Sequence, residues 1–318
     1  MTAAQLVGPE RFDLVRVDKP GPGPGQVRVA VEGCGVCASN LPAWSGRPWF
    51  HYPFAPGELG HEGWGRVDAT GEGVSSALLG RRVAMISNHA YAEAEVVHAN
   101  DLIMLPEDVD IAPLEPFGCV FNIIERAAIA DADTVAVVGL GFIGLGVARL
   151  AVAAGARVLA ISTNPSSLGA ARMAGAAHTL TLDGRHETAC RVAEITAGSG
   201  CDRVIECTGY QEPLDLCGDI VAEHGHLIIA GFHQDGPRQV DLQQWNWKGI
   251  DVINAHERDP ARIRRGMQAA ADAIGRDRSW VETLITDRLP LADIGIALDR
   301  ATRRPPGFVK AVVMARTP

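Results

Sequence analysis

The stretch TVAVVGLGFIGLGVARL, residues 134–150, decides the architecture. Its apolar opening, TVAVV, reads as a strand. It passes through Gly139, Gly141 and Gly144, a G-x-G-x-x-G pattern, into a stretch of helical texture. Glycine is abundant in this chain, so the pattern alone is weak. The frame around it adds weight, because a second apolar run, ARVLAIS (156–162), arrives on the schedule of a βαβ unit. In such a unit Gly139 makes the tight turn and Gly141 lets backbone approach a pyrophosphate. Gly144 lets the helix lie close on the strand. Phosphates then sit at the positive end of the helix, beside Phe142 and Ile143. The spacing predicts a dinucleotide site.

Working outward, HTLTL (178–182), RVIECTG (203–209), HLIIAGF (226–232) and DVINAH (251–256) are further apolar runs separated by helical stretches. Strands alternating with helices at this spacing imply a parallel sheet covered on both faces. At the end of the second strand, where an NAD site usually carries Asp or Glu, this chain has Ser162, Thr163 and Asn164. No carboxylate there repels a 2′-phosphate, and hydroxyl and amide groups can bond it. NADP(H) is therefore favoured over NAD(H), modestly, since the next basic residue is Arg172.

Before residue 112 the texture differs. QVRVAVEG, RRVAMIS and AEAEVVHA read as short strands between turns, and LPEDVDIAPLEP (105–116) reads as the start of a helical stretch. After residue 282 a strand, a helix and a strand return, and this tail is expected to rejoin the first domain. The expected division is residues 1–114, 115–281 and 282–318, with the first and last segments together.

With 318 residues the chain is long enough for two cores. Its 29 basic against 38 acidic side chains disfavour a nucleic-acid partner. The longest uncharged apolar run, 135–148, is too short to span a bilayer and carries four glycines. Seven scattered cysteines and a start without a basic leader and apolar run suggest a cytoplasmic, thiol-reduced protein.

In VEGCGVCASN (31–40) Cys34 and Cys37 stand three apart, and His61 follows in GELGHEGWG (57–65). Thiolate and imidazole suit zinc. A structural four-cysteine knuckle needs a second pair, but the next cysteine is Cys119. A thioredoxin-like pair would open a helix, whereas CGVC ends a strand ahead of ASNLPAWSG, which reads as irregular.

These segments resemble a medium-chain dehydrogenase/reductase of the zinc alcohol dehydrogenase type. GVCASN is similar to that family's metal-binding cysteine segment, GELGHEGWGRV to its Gly-His-Glu segment, and LEPFGC to its third-ligand segment in the polyol-dehydrogenase branch. VVGLGFIG, VIECTG and WNWKGIDV resemble parts of its cofactor domain. The likeness covers nearly the whole chain, in the family's order. It implies an α/β protein with a GroES-like β-rich catalytic domain and a doubly wound Rossmann domain. It makes Cys37 and His61 ligands of one catalytic zinc, with Glu115 as third ligand and Glu62 as an exchangeable fourth or a neighbour of the metal; a plain buried salt bridge is the other reading of Glu62. Ser39 becomes the hydroxyl that hydrogen-bonds the alcohol and begins a proton relay. Thr208 and Gly231 line the nicotinamide side, and Lys310 is grouped with the cofactor residues.

The resemblance further implies reversible oxidation of an alcohol to a ketone or aldehyde, a secondary alcohol, polyol-like or a hydroxylated metabolite, giving the ketone, in a homodimer or a tetramer built from such dimers. A zinc-free quinone or enoyl reductase of the same superfamily, or a non-catalytic dinucleotide-binding protein, are the rivals, and an intact ligand set speaks against both. Asn40 stands where the family usually has an Asp that orients the histidine, and is expected to accept its N–H. Pro42 replaces the histidine that often ends the relay. Trp44, Trp49, Phe50 and Asn88 are candidates for the substrate pocket, or are packing.

Overall fold

The computed structural model describes residues 1–315. They form two compact units: residues 1–118 with the segment from residue 260 onward, and residues 119–259.

The second unit is built on six parallel strands. In chain order these are Thr134–Val138, Arg157–Ser162, His178–Thr181, Cys201–Glu206, Val221–Ile229 and Asp251–Asn254. In space they run third, second, first, fourth, fifth, sixth. That order reverses between the first and fourth strands, the switch point where open α/β sheets bind ligands. Val135, Ala136, Val137 and Val138 are all 0% exposed, so both faces of the central strand are covered. A strand buried on both faces has no polar side to alternate with, which is why it reads as one apolar run.

The glycine turn after it is sterically required. Gly139 has φ +93°, and a Cβ there would lie 2.4 Å from Thr208 Cγ2. A Cβ on Gly144 would lie 1.8 Å from the Gly139 carbonyl oxygen. Gly141 is the N-cap of the helix Phe142–Ala153 and, as a glycine, brings no side chain to cap it.

In the first unit, seven strands form one sheet. Gln26–Gly35 is the hub, paired antiparallel with Gly63–Thr70, Ala94–His98 and Ala311–Met314. Its alternating burial follows the alternating sequence. The hairpin Thr2–Gly8/Arg11–Arg16 lies outside this sheet. The tail runs as strand Asp287–Pro290, helix Ile294–Arg303 and strand Ala311–Met314. Pairing of Val312 with Gly35 and Val313 with Cys34 brings Lys310 beside the end of the hub strand.

Three local expectations need correction. ASNLPAW is not irregular: it folds as a 3-10 turn, Ala38–Asn40, running into one helical turn, Leu41–Trp44, with Pro42 near the start where its missing N–H costs nothing. Residues 105–113 do not begin a helix. The helix starts at Leu114, and the carbonyls of Val109 and Asp110 instead receive the Arg82 guanidinium. The final segment of the first unit begins at Pro260, not near 282, because the helix Pro260–Arg276 packs there. A Cβ on Gly118 would lie 2.8 Å from the Met267 backbone nitrogen, and Phe117 meets Trp280 edge-on at 6.4 Å.

Candidate metal centre and nucleotide site

The hub strand ends in Gly35, and the chain then turns to present Cys37. His61 and Glu62 immediately precede the neighbouring strand, Gly63–Thr70. The ligand atoms of Cys37, His61 and Glu62 lie within 4.8 Å of one another, and among the described residues they are the one such group. Gly35 makes this possible. Its Cβ would stand 1.7 Å from Glu62 Oε2, so any other residue would displace the carboxylate.

The ring of His61 is held by backbone. Nδ1 lies 3.0 Å from the Leu59 carbonyl, which leaves Nε2 for the cluster. The expected bond from His61 to Asn40 does not form. Asn40 donates through Nδ2 to the same Leu59 oxygen at 3.1 Å and to the Tyr91 hydroxyl at 2.8 Å. Tyr91 in turn donates to the Gly35 carbonyl at 3.2 Å. Asn40 thus steadies the carbonyl that orients the histidine. An Asp would have no N–H to offer that carbonyl.

The site is strongly anionic. Burial alone would lower the pKa of His61, but the Cys37 sulfur and the Glu115 and Glu62 carboxylates raise it to about 10. Glu115 acts from the first turn of the helix Leu114–Ala127. Beside His61, a buried lysine answers this charge. Lys310 Nζ donates to Glu62 Oε1 at 2.8 Å and to the Val36 carbonyl at 3.1 Å, and lies 2.7 Å from Glu62 Oε2. Burial opposes its charge, yet Glu62 and Cys37 hold its pKa above the ordinary value. Lys310, grouped by sequence with the cofactor residues, therefore sits on the carboxylate of the metal cluster.

Sulfur, imidazole nitrogen and carboxylate oxygen, with the other imidazole nitrogen fixed by a carbonyl, form a donor set that fits zinc. Cys34 does not join it. Its thiol is buried, donates to the Gly35 carbonyl at 3.4 Å, and is held well above its ordinary pKa by burial and then by Glu62. Ser39, half-buried in the 3-10 turn two residues after Cys37, makes no protein hydrogen bond among the described residues, so its hydroxyl is available. Trp44 belongs to the core, stacked on Phe12 at 5.9 Å. Trp49 is 50% exposed and touches Phe50. Asn88 and His51 are exposed loop residues.

In the second unit, Ser162 ends its strand with Oγ accepting the Asn164 N–H at 3.1 Å, which leaves its hydroxyl proton to donate. Asn164 caps the next helix, its Oδ1 accepting from Ser166 at 2.9 Å. Thr163 is exposed. Arg172 is turned to Thr179, at 2.8 Å. Thr208 donates both its N–H and its hydroxyl to Glu206 Oε1, and Gly231 donates its N–H to the Glu206 carbonyl. Nothing in the sequence marks Tyr91, whose partners Asn40 and Gly35 lie more than fifty residues away, or Glu206, whose link to His233 spans 27.

A six-stranded dinucleotide-type sheet and a separate β-rich unit bearing a zinc-type donor set define an oxidoreductase. Comparison with known proteins gives the family: residues 23–107 match the alcohol dehydrogenase GroES-like domain and residues 143–272 the zinc-binding dehydrogenase domain. The chain belongs to the zinc-type medium-chain dehydrogenase/reductase family. It is 26% identical to the 2-dehydro-3-deoxy-L-galactonate 5-dehydrogenase of Pseudoalteromonas atlantica, covering 98% of both chains. It is 26% identical to the sorbitol dehydrogenase of Halalkalibacterium halodurans, over 90% of this chain and 91% of that one. Among solved structures, the 2R,3R-butanediol dehydrogenase of Bacillus subtilis shares the fold with a TM-score of 0.85 at 23% identity, covering 99% of each chain. A zinc ion and a nicotinamide dinucleotide are the cofactors this membership brings. No helix among the described residues is long and apolar enough to cross a membrane.

Proposed function

We propose that this chain is a zinc-dependent dehydrogenase that interconverts a secondary alcohol, polyol-like or a hydroxylated metabolite, with its carbonyl form, preferring NADP(H). The observation that carries the reading is the cluster of Cys37, His61 and Glu62 within 4.8 Å, in surroundings anionic enough to lift His61 to about 10. Cys37, His61 and Glu115 hold one zinc, with Glu62, paired to Lys310, as the exchangeable fourth donor. When bound, zinc polarises the substrate oxygen and lowers the pKa of an alcohol toward neutrality.

The rest falls to the protein. Ser39 accepts the hydroxyl proton of the substrate and passes it on, since its own hydroxyl is not tied up by protein groups. Leu59 and Asn40 keep the His61 ring in one orientation. Gly139, Gly141 and Gly144, with Phe142 and Ile143, seat the pyrophosphate at the helix N-terminus, and Ser162, Thr163 and Asn164 face the adenosine ribose. Thr208 and Gly231 flank the nicotinamide. The polyol and sugar-acid dehydrogenases among the relatives support a hydroxyl-rich substrate.

The outermost strand, Asp251–Asn254, has Val252 39% exposed, which supports pairing with a second copy to form a homodimer, or a tetramer built from two such dimers. Seven free cysteines support a reducing, cytoplasmic setting. The test is turnover of a panel of vicinal diols and simple secondary alcohols with each nicotinamide cofactor, before and after chelation. Activity that survives complete removal of metal would instead support a zinc-free reductase.

A further inference from the structure

Glu206 ends the fourth strand of the parallel sheet, paired across the switch point with Val138, the residue before Gly139. It is 0% exposed, yet it is not isolated. Oε1 accepts the N–H of Thr208 at 2.6 Å, the N–H of Gly209 at 2.9 Å and the Thr208 hydroxyl at 2.5 Å. Oε2 is 3.0 Å from His233 Nε2. On the far side of that ring, Arg238 Nε donates to Nδ1 at 2.8 Å, so Nε2 carries the proton and donates to the carboxylate. Arg238 also donates to the Gly209 carbonyl at 2.7 Å and pairs with Asp235. One carboxylate thereby ties together the loop after the fourth strand and the loop after the fifth.

The packing round it is close enough to be a fixed arrangement. A Cβ on Gly231 would lie 2.4 Å from Glu206 Oε2 and 2.3 Å from the Gly209 nitrogen. A Cβ on Gly209 would lie 2.5 Å from the Phe232 carbonyl oxygen. Thr208 in turn abuts the first glycine of the dinucleotide turn. These strands belong to the second half of the sheet. In a doubly wound dinucleotide fold the first half takes one mononucleotide and the second half the other.

We infer that Glu206, His233 and Arg238 are positioning residues that preset the two loops of the nicotinamide half before the cofactor arrives. The inference rests on the reading of this unit as a dinucleotide site. A glutamine at 206 cannot reproduce the set. It has one acceptor oxygen, and its amide N–H groups would face either the loop N–H groups or the His233 N–H. Buried donors left without an acceptor destabilise that arrangement and no other. The loss should therefore fall on binding of the nicotinamide half and leave the adenosine half alone.

The experiment measures binding of NADPH, NADH and two adenosine fragments, AMP and 2′,5′-ADP, to the wild type, Glu206→Gln and Arg238→Met holoproteins. Glu206→Gln is expected to weaken the better dinucleotide by roughly tenfold or more, the effect of losing charged hydrogen bonds. Arg238→Met should weaken it less, and fragment affinities should stay within about twofold in both. In the wild type without cofactor, the amides of Thr208, Gly209 and Gly231 should already be protected from hydrogen exchange. Equal loss of fragment and dinucleotide binding, or no loss of either, would overturn the inference, as would unprotected amides that become protected only with cofactor. The exchange result decides the matter if Glu206→Gln does not fold. A wild type that binds no dinucleotide would instead overturn the reading of the unit.

Discussion

Replacing Lys310 with Met leaves the Glu62 carboxylate buried, 1% exposed, with its lysine partner gone. Methionine fills much of the lysine stem's volume, so the change isolates the charge. The Glu62 carboxylate then either stays ionised with no lysine to bond it and only the His61 imidazole near, or takes up a proton. Breaking a buried pair in this way costs about 3–5 kcal/mol. For a unit of this size that corresponds to roughly 6–20 °C in the melting temperature. The assay is thermal unfolding of chelated protein, wild type against Lys310→Met, Glu62→Gln and the double variant. The double variant should recover most of the loss, because no unpaired charge remains. Restoring zinc should shrink the Lys310→Met deficit, since the cation gives Glu62 a second partner. A loss below about 1 kcal/mol, the scale of an exposed pair, would refute the reasoning. A double variant no better than the singles would refute it too.

Glu95 offers a test by pH. Burial raises its pKa from 4.5 to about 7, against two backbone N–H bonds from Asn88 and His89, and its second oxygen has no hydrogen-bond partner. The folded state therefore holds this proton more tightly than the unfolded state, and stability falls as pH rises from about 4.5 through about 7. Glu95→Gln removes that slope. Between pH 4.5 and 8 the wild type should lose about 3 kcal/mol relative to the variant in urea titrations, and parallel profiles would count against it. Ser162→Asp should shift kcat/KM toward NAD(H) by weakening the phosphorylated cofactor, at least tenfold if roughly 1.4 kcal/mol of repulsion is added. A wild type that already favours NAD(H), with NADP(H) use unchanged in the variant, would remove Ser162 as the discriminator. Glu115→Ala should sharply lower zinc occupancy and turnover, and Cys119→Ala should change both little. The reverse pattern in metal analysis would move the third ligand to Cys119.

The order of segments made the fold legible. Apolar runs at βαβ spacing and a glycine turn with its following helix are local signals, and the sheet they imply is the one observed. The tail's strands were legible for the same reason. What was not legible depends on partners far apart in sequence. Asn40 reads as a weak substitute for an aspartate until Leu59 and Tyr91 are seen to share its amide. Lys310 has no neighbour in the sequence to mark it as the partner of Glu62, 248 residues away. Gly35 looks like any strand-end glycine until Glu62 is found against it. The helix expected over residues 105–113 failed for a local reason: Pro113 has no N–H for the Val109 carbonyl, which with that of Asp110 is taken by the Arg82 guanidinium instead.

The central claim is a single zinc held at Cys37, His61 and their acidic neighbours and needed for alcohol oxidation. The most direct measurement is elemental analysis of purified, unchelated wild type and Cys37→Ser, with turnover of a secondary alcohol followed on the same samples. About one zinc per wild-type chain is expected, near none in the variant, with activity falling as the metal is lost. Two tightly held zinc ions per chain, or full activity in metal-free protein, would contradict it.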